Sequence, residues 1–301
     1  MRSHQPDVGT RPGRARAPRP PGANLAGSPR PGHRAMYQGP REDRAVLKAL
    51  IFDVDGTLAE TEPVHRESFN RAFARFGLPF TWDEALYTDL LQVTGGRERL
   101  LHYLATYRPA GVERIGALVP EIYDAKTRAY VALVAEGRLA ARPGIRRLVA
   151  EAKEAGLRLA IATTSHADNV QALIASLFRD GPFDAVAAGD AVAQKKPSPA
   201  IYALALDRLG LGPEEAVAFE DSTNGVRAAL AAGLPVVATP SRFLPADDLG
   251  AAGSVVSDLG EPGRPHRLLA GEPWPDGVVS LDALRRWHAR RAAACPAGRM
   301  A

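Results

Sequence analysis

The chain has 301 residues, enough for one large domain or two modest ones. Its 46% hydrophobic and 24% charged residues are those of a soluble globular protein, and no apolar run approaches the roughly 18 residues of a membrane span. The net charge of +4 does not mark a nucleic-acid binder, because residues 1–44 carry nine arginines against Asp7, Glu42 and Asp43, leaving the tail at +6 and the remainder at −2.

That tail is rich in Pro, Gly and Arg without apolar periodicity and is expected to be disordered. It lacks the apolar core of a signal peptide, and Met36 is an alternative start. The single cysteine, Cys295, forms no internal disulfide, which fits a reducing, cytoplasmic location. From Ala45 onward strand and helix signals alternate. "VLKALIFDVD" reads as a buried strand, as do "RLAIATT" (158–164), "FDAVAAGD" (183–190), "AVAFED" (216–221) and "PVVATP" (235–240). Helical patterns lie between them, closed by glycines such as Gly156, Gly210 and Gly233; Pro199 behind Ser198 opens another. Such alternation predicts an α/β fold with a doubly wound, mostly parallel sheet.

Between 61 and 139 the pattern is helical throughout, with Phe69, Phe73 and Phe76 on one stripe. The expected layout is a catalytic core over 45–60 and 140–262 and an all-helical second domain over 61–139, with linkers near 60–64 and 138–143. A Pro/Gly-rich loop (261–276) and a helix follow within 263–301.

Asp53 and Asp55 end the first strand. At i and i+2 on an extended strand they face the same side, and two carboxylates about 4 Å apart repel by roughly 4 kcal/mol at an effective dielectric near 20. A calcium loop starting at Asp53 would want Glu at its twelfth position, where Val64 stands. No Gly-x-x-x-x-Gly-Lys-Ser/Thr phosphate loop occurs. In an open α/β sheet ligands bind beyond the carboxyl ends of the strands. There the other strands bring Thr163 and Thr164, then Lys195 and Lys196, then Glu220 and Asp221. Core packing requires no such set, which argues against a solvated turn.

In this order the motifs "DVDGT", Thr163, Lys196 and "ED" resemble those of the haloacid dehalogenase superfamily of phosphotransferases. "FDVDGTLAETEPVHRESF", "VTGGRERLL", "AGDAVAQKKPSPAIYALAL" and "EDSTNGVRAA" are similar to CbbY-type phosphatases, which act on xylulose-1,5-bisphosphate, an inhibitor of Rubisco. The resemblance runs over about residues 47–240. It implies a Rossmann-like core with a helical cap after the first strand, Mg²⁺ as cofactor and a phosphorylated sugar as substrate. No nucleic-acid or membrane partner is expected, and a monomer is.

Asp53 would attack phosphorus, and Asp55 would protonate the leaving alkoxide and later activate water. By the resemblance, the Asp53 carboxylate, the Asp55 backbone carbonyl and Asp221 hold Mg²⁺, with Glu220 beside it. Thr163 and the Thr164 amide take the phosphoryl oxygens, and Lys196, directly before Pro, neutralises them. In "TGGRER", Gly95 and Gly96 expose backbone amides and Arg97 can grip a phosphate; the related pattern uses this loop for the non-reacting phosphate. Glu60, His65 and Tyr87 match positions that contact sugar hydroxyls. A phosphoglycolate phosphatase or a β-phosphoglucomutase shares the core motifs. A metal-free dehalogenase has no use for Asp55 as an acid, and a non-catalytic binding protein has no need of Asp53, Lys196 and Asp221 together.

Overall fold

The structure is a computed structural model that describes residues 46–243 and 249–294. The tail expected over 1–44, Met36 and Cys295 lie outside the described residues.

Strand β1 (Ala49–Phe52) is buried at every position, as a strand covered on both faces must be. Its alternate side chains feed two cores. Leu50 and Phe52 pack with Leu148, Leu173 and Trp287, while Ala49 and Ile51 pack with Ile201, Tyr202 and Ala228. The parallel partners β2 (Arg158–Ala162) and β4 (Ala216–Glu220) flank β1, so that Phe52 lies level with Ile161 and Phe219. The Phe52 and Phe219 rings stack at 4.6 Å. With β3 (Ala185–Ala187), β5 (Val236–Ala238), β6 (Ser254–Val256) and β7 (Leu268–Gly271), the sheet runs β3-β2-β1-β4-β5-β6-β7. Strand order reverses beside β1, and that reversal opens a crevice at the strands' carboxyl ends.

All five strands expected from the sequence are present. The Pro/Gly-rich stretch over 261–276 is not only loop: it contains β7, which runs antiparallel to β6. Neither strand was readable, since β6 brings only Val255 and Val256 between serines and all four β7 residues are exposed, leaving no alternation to detect. The helices α6 (Ile145–Glu154), α7 (Ala167–Leu177), α8 (Ala200–Leu209), α9 (Thr223–Ala231) and α10 (Leu281–Ala294) cover the sheet. Gly156, Gly210 and Gly233 follow three helix ends with φ of 75°, 64° and 83°, values that L side chains rarely adopt.

Between β1 and α6 stand five further helices: α1 (Glu62–Arg75), α2 (Glu84–Leu90), α3 (Gly96–Tyr107), α4 (Val112–Ala117) and α5 (Val119–Ala135). They enclose an aromatic core in which Phe69 and Phe73 approach Trp82 at 4.6 and 4.9 Å. Phe76 packs only partly against it, because α1 has ended by then. The Asn70 amide fixes Trp82 by bonding both its N–H and its C=O at 2.8 Å. The chain enters and leaves this helical layer side by side: Ala59 bridges Ala141, and the Arg142 N–H donates to Leu58 O at 2.9 Å. The Arg142 guanidinium also donates to the carbonyls of Gly56, Thr239, Pro240 and Ser257. Among the described residues no helix is long and apolar enough to cross a membrane.

Candidate active site

Asp53 leaves β1 with its N–H on Phe219 O at 3.0 Å, which places its carboxylate beside the end of β4. Lys196 Nζ lies 2.6 Å from Asp53 Oδ1 and 2.5 Å from Glu220 Oε1, while Lys195 turns aside to Gly189 O. Glu220 is fully buried and also accepts from the Tyr202 hydroxyl (2.6 Å) and the Asp221 N–H (3.2 Å). Oxygens of Asp53, Glu220 and Asp221 come within 4.8 Å of one another. Three buried carboxylates thus face one ammonium. Burial first, then the neighbouring Glu220 and Asp55, push Asp53 up to about 8 against the pull of Lys196. Asp221 is raised by burial first and then by Asp53, Glu220 and Glu62.

Buried carboxylate oxygens with excess negative charge suit a hard divalent cation such as Mg²⁺. The chain clears space for them: a Cβ at Gly56, whose φ is +76°, would collide with the Asp221 carboxylate, and one at Gly225 with that of Glu220. The donor set therefore fits a metal. Asp53 and Asp221 are its available ligands, since Glu220 is largely spent on Lys196 and Tyr202.

Asp55 lines the same cavity as Asp53, as expected, but a turn and not strand alternation brings it there. β1 stops at Phe52, and Asp55 lies in the turn beyond, where it faces the helical layer. Its Oδ1 accepts from Thr61 Oγ1 at 2.5 Å and meets His65 Nε2 at 2.8 Å, and Ser165 Oγ donates to Oδ2. Thr61 is the N-cap of α1, yet its hydroxyl caps nothing in the helix and serves Asp55 instead. His65 Nδ1 lies 2.8 Å from Lys126 Nζ, and the imidazole stacks on Tyr130 at 4.3 Å. Burial raises Asp55, but His65 and the Ser165 and Thr61 hydroxyls pull it well below the usual carboxylate range. Burial and then Lys126 lower His65, and burial lowers Lys126 to about 7. With His65 neutral, protons are ordered along one chain: Lys126 donates to Nδ1, and Nε2–H donates to Asp55.

A cavity of about 430 Å³ opens between the strand ends and the helical layer. Its wall includes Asp53, Asp55, His65, Gly95, Gly96, Thr163, Thr164, Lys196 and Asp221 from the residues singled out in the sequence. Glu220 lies behind it, and three other residues do not sit as expected. Arg97 is exposed and outside the wall; residues three apart share a helix face, so Gly96 brings Arg99 to the cavity and turns Arg97 away. Glu60 is drawn off by the Ser241 hydroxyl at 3.0 Å and Arg142 at 3.5 Å, and the glutamate of this stretch that lines the wall is Glu62. Tyr87 is buried one layer back, donating to Glu62 at 2.7 Å and accepting from Arg99 at 2.9 Å. Sequence reasoning also missed Lys126, Ser165 and Asn224, whose side-chain amide donates to Thr94 Oγ1 at 3.0 Å and joins α9 to the segment before α3. Only the helical period of "GGRERLL" could have pointed to Arg99.

A model of the haloacid dehalogenase-like hydrolase family matches residues 47–233. The chain is 49% identical over 252 residues to the plasmid CbbY protein of Cupriavidus necator, covering 80% of this chain and 97% of that one. Among solved structures, CbbY from Rhodobacter sphaeroides in complex with phosphate gives a TM-score of 0.67 at 47% identity, over 70% of this chain and 94% of that one. A mutant of that protein in complex with xylulose-(1,5)bisphosphate gives 0.67 at 46% identity, with the same coverage. The matched stretch holds every strand-end residue just described, and the chain belongs to the haloacid dehalogenase-like hydrolases as a phosphatase resembling CbbY.

Proposed function

We propose that the chain is a Mg²⁺-dependent sugar-bisphosphate phosphatase that converts xylulose-1,5-bisphosphate to xylulose 5-phosphate and phosphate through an aspartyl-phosphate at Asp53. The observation that carries this reading is a cavity with two differently charged regions. Asp53, Lys196 and Asp221 gather in one; the Gly95–Gly96 amides, Arg99 and Lys126 provide a second, cationic region for another phosphate. The similarity to a protein solved with xylulose-(1,5)bisphosphate supports the same substrate.

Phosphate monoesters hydrolyse very slowly unaided, so a covalent route is valuable. The Asp53 carboxylate attacks phosphorus as the bond to the sugar oxygen breaks. Lys196, Thr163 and the Thr164 amide hold the phosphoryl oxygens. Asp55 rests ionised, so the proton for the leaving alkoxide reaches it through His65 from Lys126. Asp55 then takes a proton from the water that hydrolyses the acyl phosphate. Asp53, the Asp55 backbone carbonyl and Asp221 would hold Mg²⁺, which when bound would supply positive charge for a dianion approaching carboxylates. The five-helix layer acts as the cap that sets substrate choice, and Ala59, Ala141 and Arg142 form its hinge.

Phosphate release from mono- and 1,5-bisphosphates, with Mg²⁺ or EDTA, tests this reading. The expected result is fastest release from xylulose-1,5-bisphosphate with one phosphate per sugar, none in EDTA, and none from Asp53→Asn at unchanged fold. Full turnover in EDTA, or a tenth of the activity left in Asp53→Asn, overturns it; a rearranged phosphate with none released makes the enzyme a mutase.

A further inference from the structure

Asn169 stands in the first turn of α7, three residues after the N-cap His166, and lines the active-site cavity. Only 2% of it is exposed, yet its side-chain oxygen meets no hydrogen-bond partner, and its amide bonds to no described residue. The large majority of buried polar groups in folded proteins are paired, and of the unpaired buried side-chain atoms among the described residues Asn169 Oδ1 is the one whose residue lines this cavity, within reach of a partner from outside the chain. The neighbouring polar groups of that wall are engaged: Thr163 accepts from the Ser165 N–H at 3.3 Å, Ser165 donates to Asp55, and Lys126 donates to His65. Asn169 differs from them in that its buried side-chain oxygen has no partner among the described residues.

We infer that Asn169 is a specificity-determining residue that reads hydroxyl groups on the carbon chain of the substrate, between its two phosphates. An amide presents an acceptor on one side and two donors on the other, whichever way it is turned. A phosphate dianion has no proton to donate and leaves the acceptor unpaired. A hydroxyl donates and accepts, and a run of hydroxyls can satisfy both sides at once. The location agrees. α7 packs against α5, where Tyr123 faces His166 at 6.2 Å between ring centroids, so Asn169 lies on the wall running from the Thr163–Ser165 segment to Tyr123 and Lys126. That wall joins the place of the reacting phosphate to the cationic helical layer. A site built to hydrogen-bond a substrate hydroxyl rejects an analogue without it far more strongly than a hydrophobic pocket rejects a missing methylene.

The inference rests on the sugar-bisphosphatase reading, and the experiment separates the two. Xylulose-1,5-bisphosphate is compared with pentane-1,5-diyl bisphosphate, which keeps both phosphates and the five-carbon span but carries no hydroxyl or carbonyl. The readout is the ratio of kcat/KM on the two. Asn169→Leu, which keeps the branching of the side chain but carries no hydrogen-bonding atom, is expected to shrink the wild-type preference for the sugar at least tenfold. Asn169→Ser, which keeps a donor and an acceptor, is expected to recover part of it, and Asn169→Ala guards against a folding defect peculiar to leucine. A ratio within twofold of wild type in both Leu and Ala variants overturns the inference, since a structural role would lower both substrates together. Should wild type release nothing from sugar bisphosphates, the substrate reading fails. Asn169 is then judged by the same ratio on the best sugar monophosphate against its alkyl counterpart, and a wild type with no hydroxylated substrate overturns both.

Discussion

Lys126 carries an ammonium at 2% exposure among the rings of Phe69, Tyr123 and Tyr130, with Nζ 5.2 to 5.8 Å from their centroids. Burial lowers its pKa from 10.5 to about 7, so below pH 7 the folded state bears the full cost of a desolvated charge. Between 7 and 10.5 the unfolded chain binds more protons than the folded one, and stability from this group rises with pH. Lys126→Met is therefore expected to stabilise the fold by about 2–4 kcal/mol at pH 6. The gain should shrink toward pH 10 in denaturant titrations, while turnover falls at least tenfold for want of the proton carried to His65. Arg99 poses the opposite case. Its guanidinium donates to Leu90 O, Val93 O and the Tyr87 hydroxyl, so Arg99→Ala is expected to cost about 2–3 kcal/mol. It should also raise KM for a bisphosphate more than for a monophosphate. Arg97→Ala, on the exposed face, should change stability by less than about 0.5 kcal/mol, and a larger KM effect there would return the second phosphate to Arg97. The residues at the strand ends could be read from the sequence because topology alone brings strand ends together. Glu62 and Lys126 could not, since which face a helix of the layer between β1 and α6 turns to the cavity depends on how that helix packs.

At the scale of elements, β1 to β5 and the helices between them were readable from period and glycine punctuation, whereas β6 offers only Val255 and Val256 between serines and β7 is exposed throughout, leaving no pattern. Nothing in "ARPGI" announces what Arg142 does. It ties the turn after β1, at Gly56, to the ends of β5 and β6 through Thr239, Pro240 and Ser257, and its own N–H holds the first linker at Leu58. Removing the guanidinium leaves four carbonyls without a protein donor in a half-buried place. Arg142→Ala is expected to cost about 2–4 kcal/mol and to lower kcat by similar factors on every substrate. The reason is that it positions the turn holding Asp55 and does not touch the sugar. Arg142→Lys should recover little, because one ammonium cannot span carbonyls that a planar guanidinium reaches from two sides. A selective rise in KM for one substrate would instead place Arg142 in recognition.

For the whole molecule, the sheet converges three carboxylates, one lysine and the negative charge of Asp55 on one crevice. Asp53, raised from 3.8 to about 8, keeps its proton in the folded state over a range where the unfolded chain has lost it. The unfolded chain then binds fewer protons, so without a divalent ion this group makes stability fall as pH rises from about 4 to 8. A cation that binds the ionised carboxylates reverses the trend by mass action, adding stability that grows with its concentration over its dissociation constant. Melting temperatures in Mg²⁺ and in EDTA, compared at pH 5 and pH 8, isolate this effect, because the Lys126 contribution at a given pH is common to both. The Mg²⁺-induced rise is expected to be larger at pH 8 than at pH 5. Asp221→Asn should shrink the rise at pH 8 by removing a ligand, while Glu151→Gln, far from the crevice, leaves it intact. Equal melting temperatures in Mg²⁺ and EDTA at pH 8 would mean that Lys196 and a retained proton neutralise the cluster by themselves, and the carboxylates would then have no metal to hold.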